Sequence, residues 1–153
     1  MLLLTPGPTP VPEAIRVAMS TPTIHHRTPE FEAIFEQTRL YLKQLFAMEE
    51  VLMLASSGTG AMEACVLHFC HSKALVVNSG KFGERLGKIC EAYGKEFAEI
   101  KNEWNTPVDA DVLVKMIEED STIDAVFMQV CESAGGLRHP VEEIAKRVKA
   151  IRS

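Results

Sequence analysis

Apolar positions along the chain follow two rhythms. Four short apolar runs, VLMLA at 51–55, ALVVNS at 74–79, EFAEI at 96–100 and DAVFMQV at 124–130, have the length and composition of β-strands. Between them lie TGAMEACVLHFC, KFGERLGKICEAYG and DADVLVKMIEED, which read as helices. A last helix is predicted from Pro140 through VEEIAKRVKAIR. Strands that alternate with helices predict an α/β fold, a largely parallel sheet with helices on both faces. Binding sites in such sheets lie beyond the carboxyl ends of the strands, so the informative residues should follow strands.

The first part of the chain lacks this alternation. Pro6, Pro8 and Pro10 remove backbone donors and fix φ, which predicts an extended or looped arm. Pro12 suits a helix start before EAIRVAM, and TPTIHHRTP breaks regular structure again. Thr28-Pro29-Glu30 is a second helix start. Phe31, Ile34, Phe35, Thr38, Leu42 and Leu45 then recur at steps of three and four, giving an amphipathic helix to about Ala47. The expected division is therefore an N-terminal arm with a short helix over 1–28 and an α/β domain over 29–153.

Composition narrows the function classes. The 153 residues and 46% hydrophobic content suit one domain with a buried core. Lys+Arg 16 against Asp+Glu 21 gives a net charge of -5, unlike the basic footprint of a nucleic-acid binder. No apolar stretch approaches the roughly 20 residues that span a bilayer. MLLLTPGPTP has no positive n-region and meets proline at once, so the expectation is a soluble, cytoplasmic protein without a membrane partner. Cys65, Cys70, Cys90 and Cys131 form no C-x-x-C pair and are expected as reduced, buried thiols. Cys65, His68 and His71 would share one face of a helix, which raises the question of a metal. Core packing explains that mostly apolar stretch more cheaply, and no metal site is assigned.

Ser56-Ser57-Gly58-Thr59-Gly60 follows the first apolar run and precedes a helix, the layout of an anion site served by backbone N–H groups and the helix dipole. The glycines let backbone approach a ligand, and Ser57 and Thr59 add hydroxyl donors. Ala61-Met62 stands where a Walker loop needs Lys-Ser/Thr, so that reading fails. Glu63 occupies the position of the third small residue of a dinucleotide fingerprint, which weakens that reading too. A turn that merely connects strand and helix remains a competing account of the loop alone.

Five segments in order, TPGPTPVP, HHRTPEF, SSGTGAMEA, NSGKFGER and ESAGGLRHP, resemble the class V aminotransferases, the group of serine and alanine aminotransferases acting with pyruvate or glyoxylate. They span residues 5–140. The resemblance implies part of the large domain of the fold type I transferases that use pyridoxal 5'-phosphate (PLP). Ser57, Gly58 and Thr59 would cradle the cofactor phosphate, Phe82 would stack on its pyridine ring, and the Ser133 hydroxyl would contact a ring substituent. Ala134 and Gly135 depart from hydroxyl-bearing positions of the family. Gly7, His26 and Arg27 fall in segments that would lie near the substrate, where a cation can meet a carboxylate. No catalytic residue is assigned: the resemblance puts the Schiff-base lysine and the acidic partner of the pyridine nitrogen after later strands, beyond Ser153, together with the small domain. The implied activity moves an amino group from a small amino acid such as serine or alanine to a 2-oxo acid, within a homodimer, and residues 1–153 alone are expected to be inactive. The alternatives are a non-catalytic phosphate or nucleotide-binding α/β domain, and another class V branch such as a cysteine desulfurase.

Overall fold

The computed structural model describes residues 2–152. It divides into two compact units, Met1–Ala55 and Ser56–Ser153. In the first unit, α1 (Glu13–Met19) starts behind Pro12, as expected from a residue whose φ is already near helical. The helix α2 (Pro29–Phe46) is opened by Thr28, whose hydroxyl oxygen accepts the Phe31 N–H at 3.4 Å, and Pro29 sits in the first turn, where a missing N–H costs nothing. It ends at Ala47 in the left-handed region, φ 51, where the N–H groups of Ala47 and Met48 donate to the carbonyls of Gln44 and Lys43. The Glu50 carboxylate then pairs with Arg39 at 2.6 Å and with Lys43 at 3.3 Å, tying the following segment back to the helix.

The strand expected at 51–55 is not formed. VLMLA carries no ladder, and Leu52 is 88% exposed. An apolar run indicates a segment that favours burial, but a strand exists only where another backbone pairs with it, and the regular elements of this unit are helices.

The second unit holds α3 (Gly58–Phe69), β1 (Lys73–Asn78), α4 (Lys81–Ala92), β2 (Glu96–Lys101), α5 (Ala110–Glu119), β3 (Ile123–Phe127), a small hairpin β4 (Cys131–Glu132) and β5 (Leu137–Arg138), and α6 (Val141–Ile151). The three longer strands form a parallel sheet in the order β2-β1-β3, with Leu75 of β1 opposite Ala98 and Val126. The chain steps one way from β1 to β2 and back across β1 to reach β3. Crossovers of one hand then place α4 and α5 on opposite faces.

Side-chain alternation along β1 shows both faces covered. Ala74 and Val76 pack with Val66 of α3, with Cys70 just after it, and with Leu86, Ile89 and Cys90 of α4. Leu75 and Val77 face the other way, onto Leu113 and Ile117 of α5 and Ile144 of α6. A strand buried on both sides reads as continuous apolar sequence, which is why ALVVNS was legible. DAVFMQV was too long a strand, because the ladder stops at Phe127. Cys70 and Cys90 are buried free thiols, and burial pushes their proton affinity up; Cys65 and Cys131 are exposed, contrary to expectation. α3 ends at Phe69, so His71 lies beyond it and cannot share a helical face with Cys65 and His68. Among the described residues, no helix is long and apolar enough to cross a membrane.

The approach of α4 to β1 is set by Gly83. A Cβ at this position would lie 2.6 Å from the Val77 carbonyl oxygen and 2.7 Å from the Asn78 Cα, which are backbone atoms with no freedom to yield. Gly83→Ala should therefore lower unfolding stability by about 2 kcal/mol in urea titration, although alanine is the better helix former. An unchanged or raised midpoint would show that helix and strand are not so closely apposed.

Candidate functional site

The α3 N-terminus carries the loop singled out from sequence. Ser57 is the N-cap in extended conformation, and its side chain makes no capping bond. Its carbonyl accepts from Gly60 N–H at 3.0 Å, whereas the N–H groups of Gly58 and Thr59 have no acceptor among the described residues. A helix start with free donors and an unused serine hydroxyl presents a partial positive charge to any anion. Gly60 is required sterically, since a Cβ there would overlap the Ser56 side chain.

The start of α4 is built differently. Glu132, 1% exposed, places its carboxylate against the first turn, where it accepts the Phe82 N–H at 3.1 Å and the Gly83 N–H at 3.0 Å. A carboxylate so buried is tolerated because charge-assisted bonds and the helix dipole replace its lost hydration. Gly80 leaves it room, since a Cβ there would collide with the Glu132 side chain. The chain's own carboxylate thus fills the α4 terminus, while the α3 terminus is left open.

Arg85 connects the two helix starts. Its Nη1 donates to Thr59 Oγ1 at 2.7 Å, and its guanidinium carbon lies over the Phe82 ring, 5.6 Å from the centroid. Phe82 is half-buried and belongs to neither core cluster, so a plain core role does not account for it. The hairpin comes in from the end of β3. Ser133, half-buried, begins its turn, Gly136 takes φ 71, and Gly135 lies so close to the Asn105 side chain that a Cβ would overlap it. Asn105 in turn donates its N–H to the Ser79 carbonyl at 3.0 Å. Segments following β1, β2 and β3 thereby meet at the carboxyl end of the sheet. His139, 3% exposed, holds the base of the hairpin: its N–H donates to the Val130 carbonyl at 3.0 Å and its Nδ1 accepts the Val108 N–H at 3.2 Å. Burial lowers its proton affinity, with the Glu132 charge opposing.

Of the residues proposed from sequence, Ser57, Gly58, Thr59, Phe82 and Ser133 all lie in the second unit, linked through Arg85 and Glu132. Gly7, His26 and Arg27 lie in the first unit and are exposed. Sequence reasoning quoted Arg85 and Glu132 inside motifs without giving them work. Spacing carried part of the signal for Arg85, which stands three residues after Phe82 on one helix. Nothing local marks Glu132 as a buried cap, because its partners are about 50 residues away in sequence.

No known family profile matches the chain. It is 50% identical over 149 residues to an uncharacterized aminotransferase of Helicobacter pylori, covering 97% of this chain and 40% of that protein. It is 34% identical over 158 residues to a serine–glyoxylate aminotransferase of Hyphomicrobium methylovorum, covering 98% of the chain and 38% of that protein. Proteins named aminotransferases thus match the chain almost from end to end, which is consistent with a fragment of a class V aminotransferase. An alanine–glyoxylate aminotransferase from Nostoc, of known structure, superposes with a TM-score of 0.88 at 25% identity, over 97% of the chain and 40% of that protein. Some relatives carry another name: a soluble hydrogenase small subunit of Synechococcus, for example, is 36% identical over 154 residues, covering 97% of the chain and 40% of that protein. The chain thus spans about two fifths of the length of the curated relatives it matches. Three of the five segments that resemble class V aminotransferases, SSGTGAMEA, NSGKFGER and ESAGGLRHP, build the carboxyl-end cluster.

Removing the buried carboxylate tests how this cluster is held. Glu132→Ala should cost about 3 kcal/mol, because two helix-start N–H groups lose their acceptor, and Glu132→Gln should cost less. Denaturant midpoints compared with Glu118→Ala, an exposed control, check this. Equal midpoints for the Glu132→Ala and Glu118→Ala variants would contradict the capping role.

Proposed function

We propose that the protein carrying this chain is a PLP-dependent aminotransferase that moves an amino group from serine or alanine to pyruvate or glyoxylate. The observation that carries the reading is the α3 start, where the Gly58 and Thr59 N–H groups and the Ser57 hydroxyl have no acceptor among the described residues. That donor set suits a phosphate monoester. Ser57, Gly58 and Thr59 would bind the phosphate, the Phe82 ring would lie against the pyridine ring, and the Ser133 hydroxyl would meet a ring substituent. Gly7, His26 and Arg27 are assigned, from the resemblance of their segments, to the substrate side. When bound, the cofactor supplies an electron sink for removal of the substrate Cα proton.

The amine that bonds the cofactor is not assigned within residues 1–153. No lysine among the described residues is buried. Lys73 is held by Asp120 at 2.8 Å, Lys81 by Glu84 at 3.1 Å, and Lys95 donates to the Cys70 carbonyl at 2.7 Å. The Asp120 pairing raises the proton affinity of Lys73, opposite to what a nucleophilic amine requires. A cytoplasmic homodimer, with the lysine and its acidic partner on further chain, completes the proposal.

Residues 1–153 should bind PLP without a lysine adduct, and borohydride should fix no stoichiometric label, as peptide mass mapping would show. One uniquely labelled lysine would contradict the assignment. PLP should also protect the fold against heat more than ATP or NAD does, the opposite order favouring a nucleotide-binding domain. The longer protein should form glycine from glyoxylate with serine or alanine as donor. Failure of all pairs, with hydrogen-dependent dye reduction instead, would favour the activity named for the Synechococcus relative.

A further inference from the structure

Arg85 is the one part of the carboxyl-end cluster that the proposed function leaves without a task. It is half-buried on α4, and no carboxylate lies within ion-pair distance among the described residues. Its neighbours differ: Lys81 and Lys88, on the same helix, both pair with Glu84 and hold that carboxyl down at about 2. A guanidinium does not shed its proton, so its charge stands uncompensated beside the open start of α3. Two positive potentials placed together are relieved by an anion.

We propose that Arg85 is a positioning residue that makes the Thr59 hydroxyl a dedicated donor to a bound phosphate monoester and keeps the Phe82 ring in register with it. This rests on the PLP reading above. A threonine hydroxyl has one proton and two lone pairs. The Nη1 bond at 2.7 Å occupies a lone pair and leaves the proton to be donated elsewhere. A cationic donor also withdraws electron density from that oxygen, which strengthens the O–H as a donor. The same guanidinium lies over Phe82, three residues earlier on the helix, so one planar group fixes the contact for the phosphate end and the contact for the ring end. Lysine offers the charge without the planar fork.

The test uses residues 1–153 of wild type, Arg85→Met, Arg85→Lys, Thr59→Val and the double variant Arg85→Met with Thr59→Val, each titrated by equilibrium dialysis with PLP and with pyridoxal, which lacks the phosphate. Arg85→Met should weaken PLP binding about tenfold and pyridoxal binding much less, because pyridoxal loses only the support of the Phe82 ring. Arg85→Lys should fall between Arg85→Met and wild type. Thr59→Val should cost much less in the Arg85→Met background than in wild type, because the hydroxyl has already lost its orientation. Thermal unfolding reports on folding of each variant, and equal loss for the two ligands would mark a structural effect and overturn the proposal. Unchanged PLP binding by Arg85→Met, or additive effects of the two substitutions, would also overturn it while leaving the PLP reading standing. Failure of wild type to bind PLP would sink both.

Discussion

The buried carboxylate of Glu132, bonded to the N–H groups of Phe82 and Gly83, is the constraint on which the carboxyl-end cluster depends. It sets where α4 begins, and through that where Phe82 and Arg85 stand. It also fixes the hairpin that presents Ser133. Such a group is costly to bury unless its oxygens are fully engaged, so Gly80 and Gly83 had to be glycines: one gives the carboxylate room and the other lets the helix lie against β1. Electrostatics and close packing are therefore one requirement here, met by residues about 50 positions apart.

That arrangement also explains why two helix starts in one unit have different roles. The α4 terminus is satisfied from within, and a second anion there would meet an existing negative charge. The α3 terminus has no such cap and stands beside an uncompensated guanidinium. Of the two, only the second is free to receive a phosphate. The parallel sheet directs both helix starts to the same end, so a ligand held at α3 is within reach of groups that follow β1 and β3.

The parts legible in sequence were those with local causes. β1 was readable because both its faces are buried, and α2 because Thr28 and Pro29 mark its start. The glycine loop was readable because its residue types suit close backbone approach. VLMLA misled because hydrophobicity does not name a pairing partner, and DAVFMQV ran past Phe127 because nothing in its composition marks where a ladder ends. Glu132 was quoted for its place in a motif and its work went unseen, since a carboxylate that caps a distant helix looks like any surface glutamate in sequence. The resemblance singled out the segments around Ser57, Phe82 and Ser133, and the structure shows the Arg85 and Glu132 bonds that join them.

The central claim, that the α3 start holds a phosphate within a cluster completed by Phe82 and Ser133, is tested most directly by amide NMR mapping of the 16.9 kDa chain during titration with PLP. The account predicts saturable shifts concentrated at Gly58, Thr59, Phe82 and Ser133, the first two being the largest. Shifts concentrated instead in the apolar cavity of about 460 Å³ beside Val126, Ile144 and Val148, or no saturable shifts at the α3 start, would contradict it.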